Sequence, residues 1–335
     1  MAANIDHYFA WKAEVTPGTA VTPDKLVEWV SGDVAGIYAP PIESQAIIPS
    51  HMAVRSDRVA RPGLISVTGQ LVFEALTKGN ISAFLSTMMG SVATTGPSDT
   101  SAYTHTGSLA DTRGKTITIQ KNVVNAGGTN RAYTYAGCKV GGFTITCQVG
   151  GPITVTIDIV DGKSEVTDTA AVSVSPVSGA YLYHWANASN AVSIGGSPVN
   201  AKSLTCSVKF PTDGGGSANR FIGNTWRQAL VTGYPEVMWT VGMEYDANTY
   251  VDMARATTRS AGQTSFEALF TGDVLAGAST DYASLTLTSA SCDVMAPATV
   301  PVVKGVPQIQ VSAKARYDAS NNPLTFAVVS ADSTP

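Results

Sequence analysis

Apolar and hydroxyl-bearing residues alternate along much of this chain, and that periodicity admits few folds. It is clean in Thr116-Ile117-Thr118-Ile119, in Phe143-Thr144-Ile145-Thr146-Cys147 and in Ile153-Thr154-Val155-Thr156-Ile157-Asp158-Ile159. It returns in Ser284-Leu285-Thr286-Leu287-Thr288 and Ile309-Gln310-Val311-Ser312-Ala313. A helix would scatter these apolar residues around its axis, whereas a strand sorts them onto one face. The expected fold class is therefore mainly β, built from sheets with one buried face and one wet or partner-facing face.

Two segments read as helices instead. Ile81, Phe84, Leu85, Met88 and Met89 form one helical stripe, so a helix is predicted over about 80–89. Asn80 or Thr77 is the expected N-cap and Gly90 the stop. A shorter stripe of Tyr250, Met253 and Ala254 follows the capping-rich Asp246-Ala247-Asn248-Thr249 and predicts a helix over about 248–257.

These helices expose an internal repeat. Ile65 to Glu74 precedes the first and Val237 to Asp246 the second, each an alternating strand ending in an aromatic and a carboxylate. Further on, Cys138-Lys139-Val140 leads through Gly150-Gly151-Pro152 to the strand at Ile153. Cys292-Asp293-Val294 leads likewise through Gly305-Val306-Pro307 to the strand holding Ile309. The expected organisation is one β-module duplicated in tandem, residues 1–165 and 166–335, with a join near the weakly patterned stretch 162–182.

Each half carries a long loop with apolar residues that solvated disorder avoids. The first, 41–62, holds Ile47, Ile48, Met52, Arg55, Arg58 and Arg61; the second, 211–233, holds Arg220, Phe221, Trp226 and Arg227. These ten residues are the candidate inter-subunit contacts, as arms ordered against a neighbour. A solvated polar surface is the alternative reading, especially for the three arginines of the first loop.

Charged residues are only 14% of the 335, well below the roughly quarter usual in soluble domains, while apolar residues make up 44%. Such a surface is neutral-polar or covered by partners. The formal net charge of −4 gives no basic footprint for tight nucleic-acid binding. The sequence has no secretory leader pattern and no apolar run of membrane-spanning length. Cys138, Cys147, Cys206 and Cys292 lie singly in strand-like runs, without metal-ligand spacing, and are expected to be buried, reduced thiols, with disulfides as the alternative reading. His7, His51, His105 and His184 stand apart from one another. With no nucleophile elbow, zinc-protease motif or phosphate loop, neither catalytic residue, cofactor nor metal is expected.

The N-terminal stretch Trp11-Lys12-Ala13-Glu14-Val15-Thr16-Pro17-Gly18-Thr19-Ala20-Val21-Thr22-Pro23 resembles the opening strand and turn of bacteriophage tail tube proteins of the siphophage type. The resemblance continues through Ile42-Glu43-Ser44, Gly63 to Gly69, the helix at 80–89, Tyr103-Thr104-His105-Thr106, Tyr135 to Val140 and Gly150 to Val155. It covers most of residues 8–160; the second half resembles the family mainly in order of elements.

This resemblance implies a β-sandwich or barrel module with a flanking helix, standing in rings whose inner sheets join into a β-barrel around a DNA channel. Six modules per ring would mean three copies of a duplicated chain, or six of a single-module one. It implies a major tail tube subunit located in the virion tail and assembled in the host cytoplasm. Its partners would be itself, a tail terminator, a tape measure and baseplate or tip proteins, with viral DNA passing through unbound and no membrane involved. Two other readings stay open: another virion assembly protein, such as a capsid decoration or adhesion β-protein, and a carbohydrate-binding or carbohydrate-active β-sandwich. The latter draws on Trp11, Trp29, Trp185, Trp226 and Trp239.

Overall fold

A computed structural model describes residues 7–38, 63–97, 102–125, 127–186, 191–212, 222, 233–245, 250, 263–275, 281–295, 307–317 and 321–335. In the first half, β1 (Tyr8–Ala13), β2 (Lys25–Val27), β3 (Trp29–Tyr38) and β4 (Ile65–Glu74) precede the helix α1 (Ile81–Met89). A hairpin of β5 (Gly90–Thr95) and β6 (Tyr103–Leu109) follows. Then come β7 (Ile117–Val124), β8 (Asn130–Gln148), β9 (Thr154–Asp161) and β10 (Ser164–Thr169). The second half contributes β11 (Val192–Ile194), β12 (Ser197–Pro198), β13 (Ala201–Lys209) and β14 (Glu236–Glu244). It closes with β15 (Gln263–Val274), β16 (Tyr282–Met295), β17 (Gln308–Ala315) and β18 (Thr325–Ser330). The fold is mainly β, as the alternation predicts, and every pairing is antiparallel.

Alternation sets the faces. Val155, Ile157 and Ile159 of β9 are buried while Thr154, Thr156 and Asp158 are half-exposed. Val237, Trp239, Val241 and Met243 do the same in β14, and Ile309, Val311, Ala313 and Ala315 in β17. In α1 the predicted stripe turns inward, and Phe84 packs edge-on against Trp11, Phe73 and Phe143 at centroid distances of 6.1, 5.4 and 6.0 Å. Gly90 ends the helix at φ 84°, a left-handed cap that favours glycine. The N-terminal expectation is corrected: Asn80 occupies the N-cap position without capping. Its amide instead accepts from Leu76 N at 3.1 Å and donates to Glu74 O at 3.2 Å, bracing the preceding turn. Thr77 Oγ1 accepts from Tyr181 N. Of the second predicted helix, only Tyr250 lies among the described residues.

Strand pairing follows one plan in each half. In the first, the order is β2–β1–β7–β8–β9–β4–β3, with β10 also on β8. In the second, it is β12–β11–β15–β16–β17–β14–β13, with β18 also on β16. Irregularities recur at matching places. β3 gains a residue on β4 between Trp29 and Ser31, and β13 gains one on β14 between Ala201 and Ser203. β8 runs from Cys138 to Tyr135 while β7 advances from Ile117 to Ile119; β16 runs from Cys292 to Ser289 while β15 advances from Thr264 to Phe266. At both bulges the thiol points back at the carbonyl three residues earlier, 3.6 Å from Tyr135 O and 3.8 Å from Ser289 O.

The ladders also correct the sequence alignment of the halves. With Cys138 matched to Cys292, Val140 pairs with Ile159 and Val294 with Ala313; these strands in turn pair with Gly69 and Trp239. Glu74 therefore matches Glu244 rather than Asp246. A slip of two residues leaves every side chain on its proper face, so alternation alone does not detect it.

The halves meet edge to edge. The C-terminal part of β8 pairs with β13, from Gly142 against Lys209 to Gln148 against Ser203. A second seam joins β6 to β18. One contiguous apolar cluster runs through both halves, and β10 runs across the expected boundary at 165/166.

Candidate assembly surface

The ten predicted contact residues, Ile47, Ile48, Met52, Arg55, Arg58, Arg61, Arg220, Phe221, Trp226 and Arg227, lie outside the described residues. The described surface that most resembles an interface is β3. Sequence reasoning missed it because Gly32 and Gly36 interrupt its alternation. The available signal was a glycine-centred strand bounded by Trp29-Val30 and Ile37-Tyr38.

Strand β3 pairs with β4 along one edge, and among the described residues no strand pairs with its other edge. An open edge is a template for another chain. Here it carries large apolar side chains: Trp29 is 41% exposed, Val30 53%, Ile37 54% and Tyr38 60%. Their positions are held from below. The Trp29 ring tilts against Phe9 at 5.4 Å and its Nε1 donates to Gly32 O at 3.0 Å. Tyr38 donates its hydroxyl to Glu165 Oε2 at 2.5 Å, and this carboxylate raises the phenol pKa. Lys121 holds Asp33 at 2.5 Å, and Asp33 Oδ1 accepts from Val34 N at 2.7 Å. A side chain thus satisfies one backbone N–H of β3. A Cβ on Gly32 would sit 2.0 Å from Gln70 O, so only glycine permits this close approach at φ 94°.

The corresponding strand of the second half, β13, is covered on both edges, by β14 and β8. Just past it, Phe210 is buried and its N–H donates to Gly141 O at 2.8 Å. Phe210 lines a small recess together with Thr87, Met88, Cys138, Lys139 and Val140. Burial lowers the Lys139 pKa to about 8, and the ammonium donates to Thr112 O and Lys115 O at 2.5 and 3.0 Å. It closes a loop without facing a substrate-sized cavity.

The remaining chemistry is structural. All four cysteines are free and buried. Desolvation raises every thiol pKa, to about 11 for Cys147 and about 12 for Cys292, so they stay protonated and unreactive near neutrality. His105 is buried between Thr94 Oγ1 and Asp332 O, both at 2.9 Å, and desolvation lowers its pKa. No metal-competent cluster occurs among the described residues, and none of their helices is long and apolar enough to cross a membrane. Trp11 and Trp239 are core residues, the latter donating to Ser289 Oγ at 2.8 Å, which removes two of the five platforms a sugar site would use.

The opening motif also finds its physical role. The Glu14 carboxylate accepts from Gly18 N, Thr116 Oγ1, Thr118 Oγ1 and Gly137 N, at 2.7, 2.6, 2.7 and 2.7 Å. It ties the turn after β1 to β7 and β8. Lys12 pairs with Asp24 at 2.5 Å across the same turn.

The family model described as phage tail tube protein matches residues 5–313. No curated protein matches the chain.

Proposed function

This chain belongs to the phage tail tube protein family, and we propose that it is the major subunit of the tail tube of a tailed bacteriophage. Copies assemble into stacked rings around a channel that the genome passes through without specific binding. The observation that carries this reading is the edge-to-edge seam between β8 and β13, which joins two sheets of the same pairing order and the same bulges. On this reading the halves are copies of one module and three chains make a ring of six.

Chemistry supports a structural role. Sheet edges and apolar faces assemble a tube with no reactive side chain, and the protein is not an enzyme. The loops at 41–62 and 211–233 act as arms to adjacent subunits, through the ten residues named above. A terminator, a tape measure and tip proteins cap and measure the tube, which forms in the host cytoplasm.

Electron microscopy of the concentrated, purified chain tests the reading. Hollow tubes are expected, and a uniform field of isolated particles under all assembly conditions overturns it. Deleting residues 50–60 is expected to leave a folded subunit that does not polymerise; normal tubes from that deletion refute the arm.

A further inference from the structure

We infer that Asp332 and His105 form an acid-released clasp between the two halves. When the His105 ring takes a second proton, the end of the β5–β6 hairpin that holds Thr94 leaves β18, while the β8–β13 seam stays closed. The inference is independent of the tube reading, because every contact lies within one chain. Asp332 follows β18 and touches the first half at two places. Its Oδ2 accepts from Gly79 N at 2.7 Å, in the turn before α1, and its carbonyl oxygen bonds His105 Nε2 of β6 at 2.9 Å. From the other ring nitrogen, Nδ1, the contact passes to Thr94 Oγ1 of β5, again at 2.9 Å. Asp332 N donates to the hydroxyl of Ser330, the last residue of β18 to pair with β6.

A carbonyl oxygen can only accept, so His105 carries its proton on Nε2, and Nδ1 accepts from the threonine hydroxyl. Both nitrogens are committed in the neutral form. A second proton, on Nδ1, forces that hydroxyl to turn its own proton away and puts a cation on a fully buried ring. Burial lowers the His105 pKa, and Asp332 offsets this in part. β5, β6 and β18 contain no other charged residue. The turn before α1 adds Lys78, and the segment 181–183 that bonds to this turn adds the phenol of Tyr183, held protonated by burial. Relief comes from the near end of the ladder, where only Thr104 and Tyr103 pair beyond His105. The far end is pinned by Phe326, whose ring lies over Gly107: a Cβ there would sit 2.2 Å from it. The other seam has no such group, since β8 and β13 contain no histidine, aspartate or glutamate.

Hydrogen exchange of the full chain, kept dilute and unassembled, tests the clasp at pH 7.5 and pH 5.5 after correction for intrinsic rates. Opening of the paired segments 103–108 and 325–330 is expected to rise between about fivefold and tenfold in acid, the gain in proton binding available one unit below an ordinary histidine pKa. The paired segments 142–148 and 203–209 of the other seam are expected to keep their protection. His105→Gln is expected to abolish the rise. Unchanged protection at 103–108, an equal rise in His105→Gln, or an equal rise at both seams overturns the inference. Should His105→Gln fail to fold, an NMR titration of wild-type His105 decides. The ring is expected to gain its proton as 103–108 opens, and a ring that gains it with the ladder closed overturns the clasp.

Discussion

The two halves follow one pairing plan but are finished differently. In the first, β1 and β2 are linked by a long turn, from Glu14 to Asp24, that one carboxylate organises through four hydrogen bonds. In the second, β11 and β12 are linked by Gly195 and Gly196 alone, both in left-handed conformations at φ 63° and 75°. The first half also carries the β5–β6 hairpin after α1, which pairs with β18 of the second half. The second half hides β13 where the first leaves β3 open. The sheet plan is the part that repeats, and the turns, hairpin and edges are where each half is fitted to its place.

The largest expected effects ask whether the halves are one folding unit. Phe84→Ala in the first half and Trp239→Ala in the second each empty a fully packed site and are expected to cost about 3–5 kcal/mol. Because one apolar cluster spans both halves, each is expected to shift a single cooperative transition in urea. Two separate transitions, with each substitution moving one, would break the shared core. Next, Glu14→Gln weakens four charge-assisted hydrogen bonds in the first half and is expected to cost about 2 kcal/mol by chemical denaturation. The second half has no counterpart of Glu14, because Gly195-Gly196 replaces that turn; Ser197, which pairs with Ile194 as Lys25 pairs with Trp11, is expected to be near neutral on substitution by alanine. Gly196→Ala strains the tight turn and is expected to cost about 1 kcal/mol, read from the same curves.

The smallest effect concerns the hairpin seam. Burial lowers the folded-state pKa of His105, so the unfolded chain binds the proton more readily. The stability from neutral His105 is complete above the ordinary histidine value near 6.5 and is lost as pH falls below it. Melting temperature is expected to fall between pH 7 and pH 5, with His105→Gln flattening that dependence. An equally steep fall in the variant would remove His105 as its source.

Strand identity was legible because alternation is a local property: the strands at 153–159, 284–288 and 309–313 emerge where expected. The stripe of α1 and its Gly90 stop were equally local. The Asn80 cap was not, because a competing acceptor role toward Leu76 N depends on how the preceding turn folds. The strands before residues 75 and 245 were visible in order, but the ladders set them two residues off the sequence alignment of the halves, since a period of two conceals even slips. The open edge of β3 was invisible for a different reason. Exposure at a sheet edge depends on which strand lies next to it, and that is decided by chain topology far away in sequence.

Helical reconstruction of assembled tubes tests the central claim most directly. The account predicts rings of three chains, with six like sheets related by pseudo-sixfold symmetry and the seam between chains superposing on the β8–β13 seam within each. Rings of six chains, or an inter-chain seam built from other edges, would contradict it.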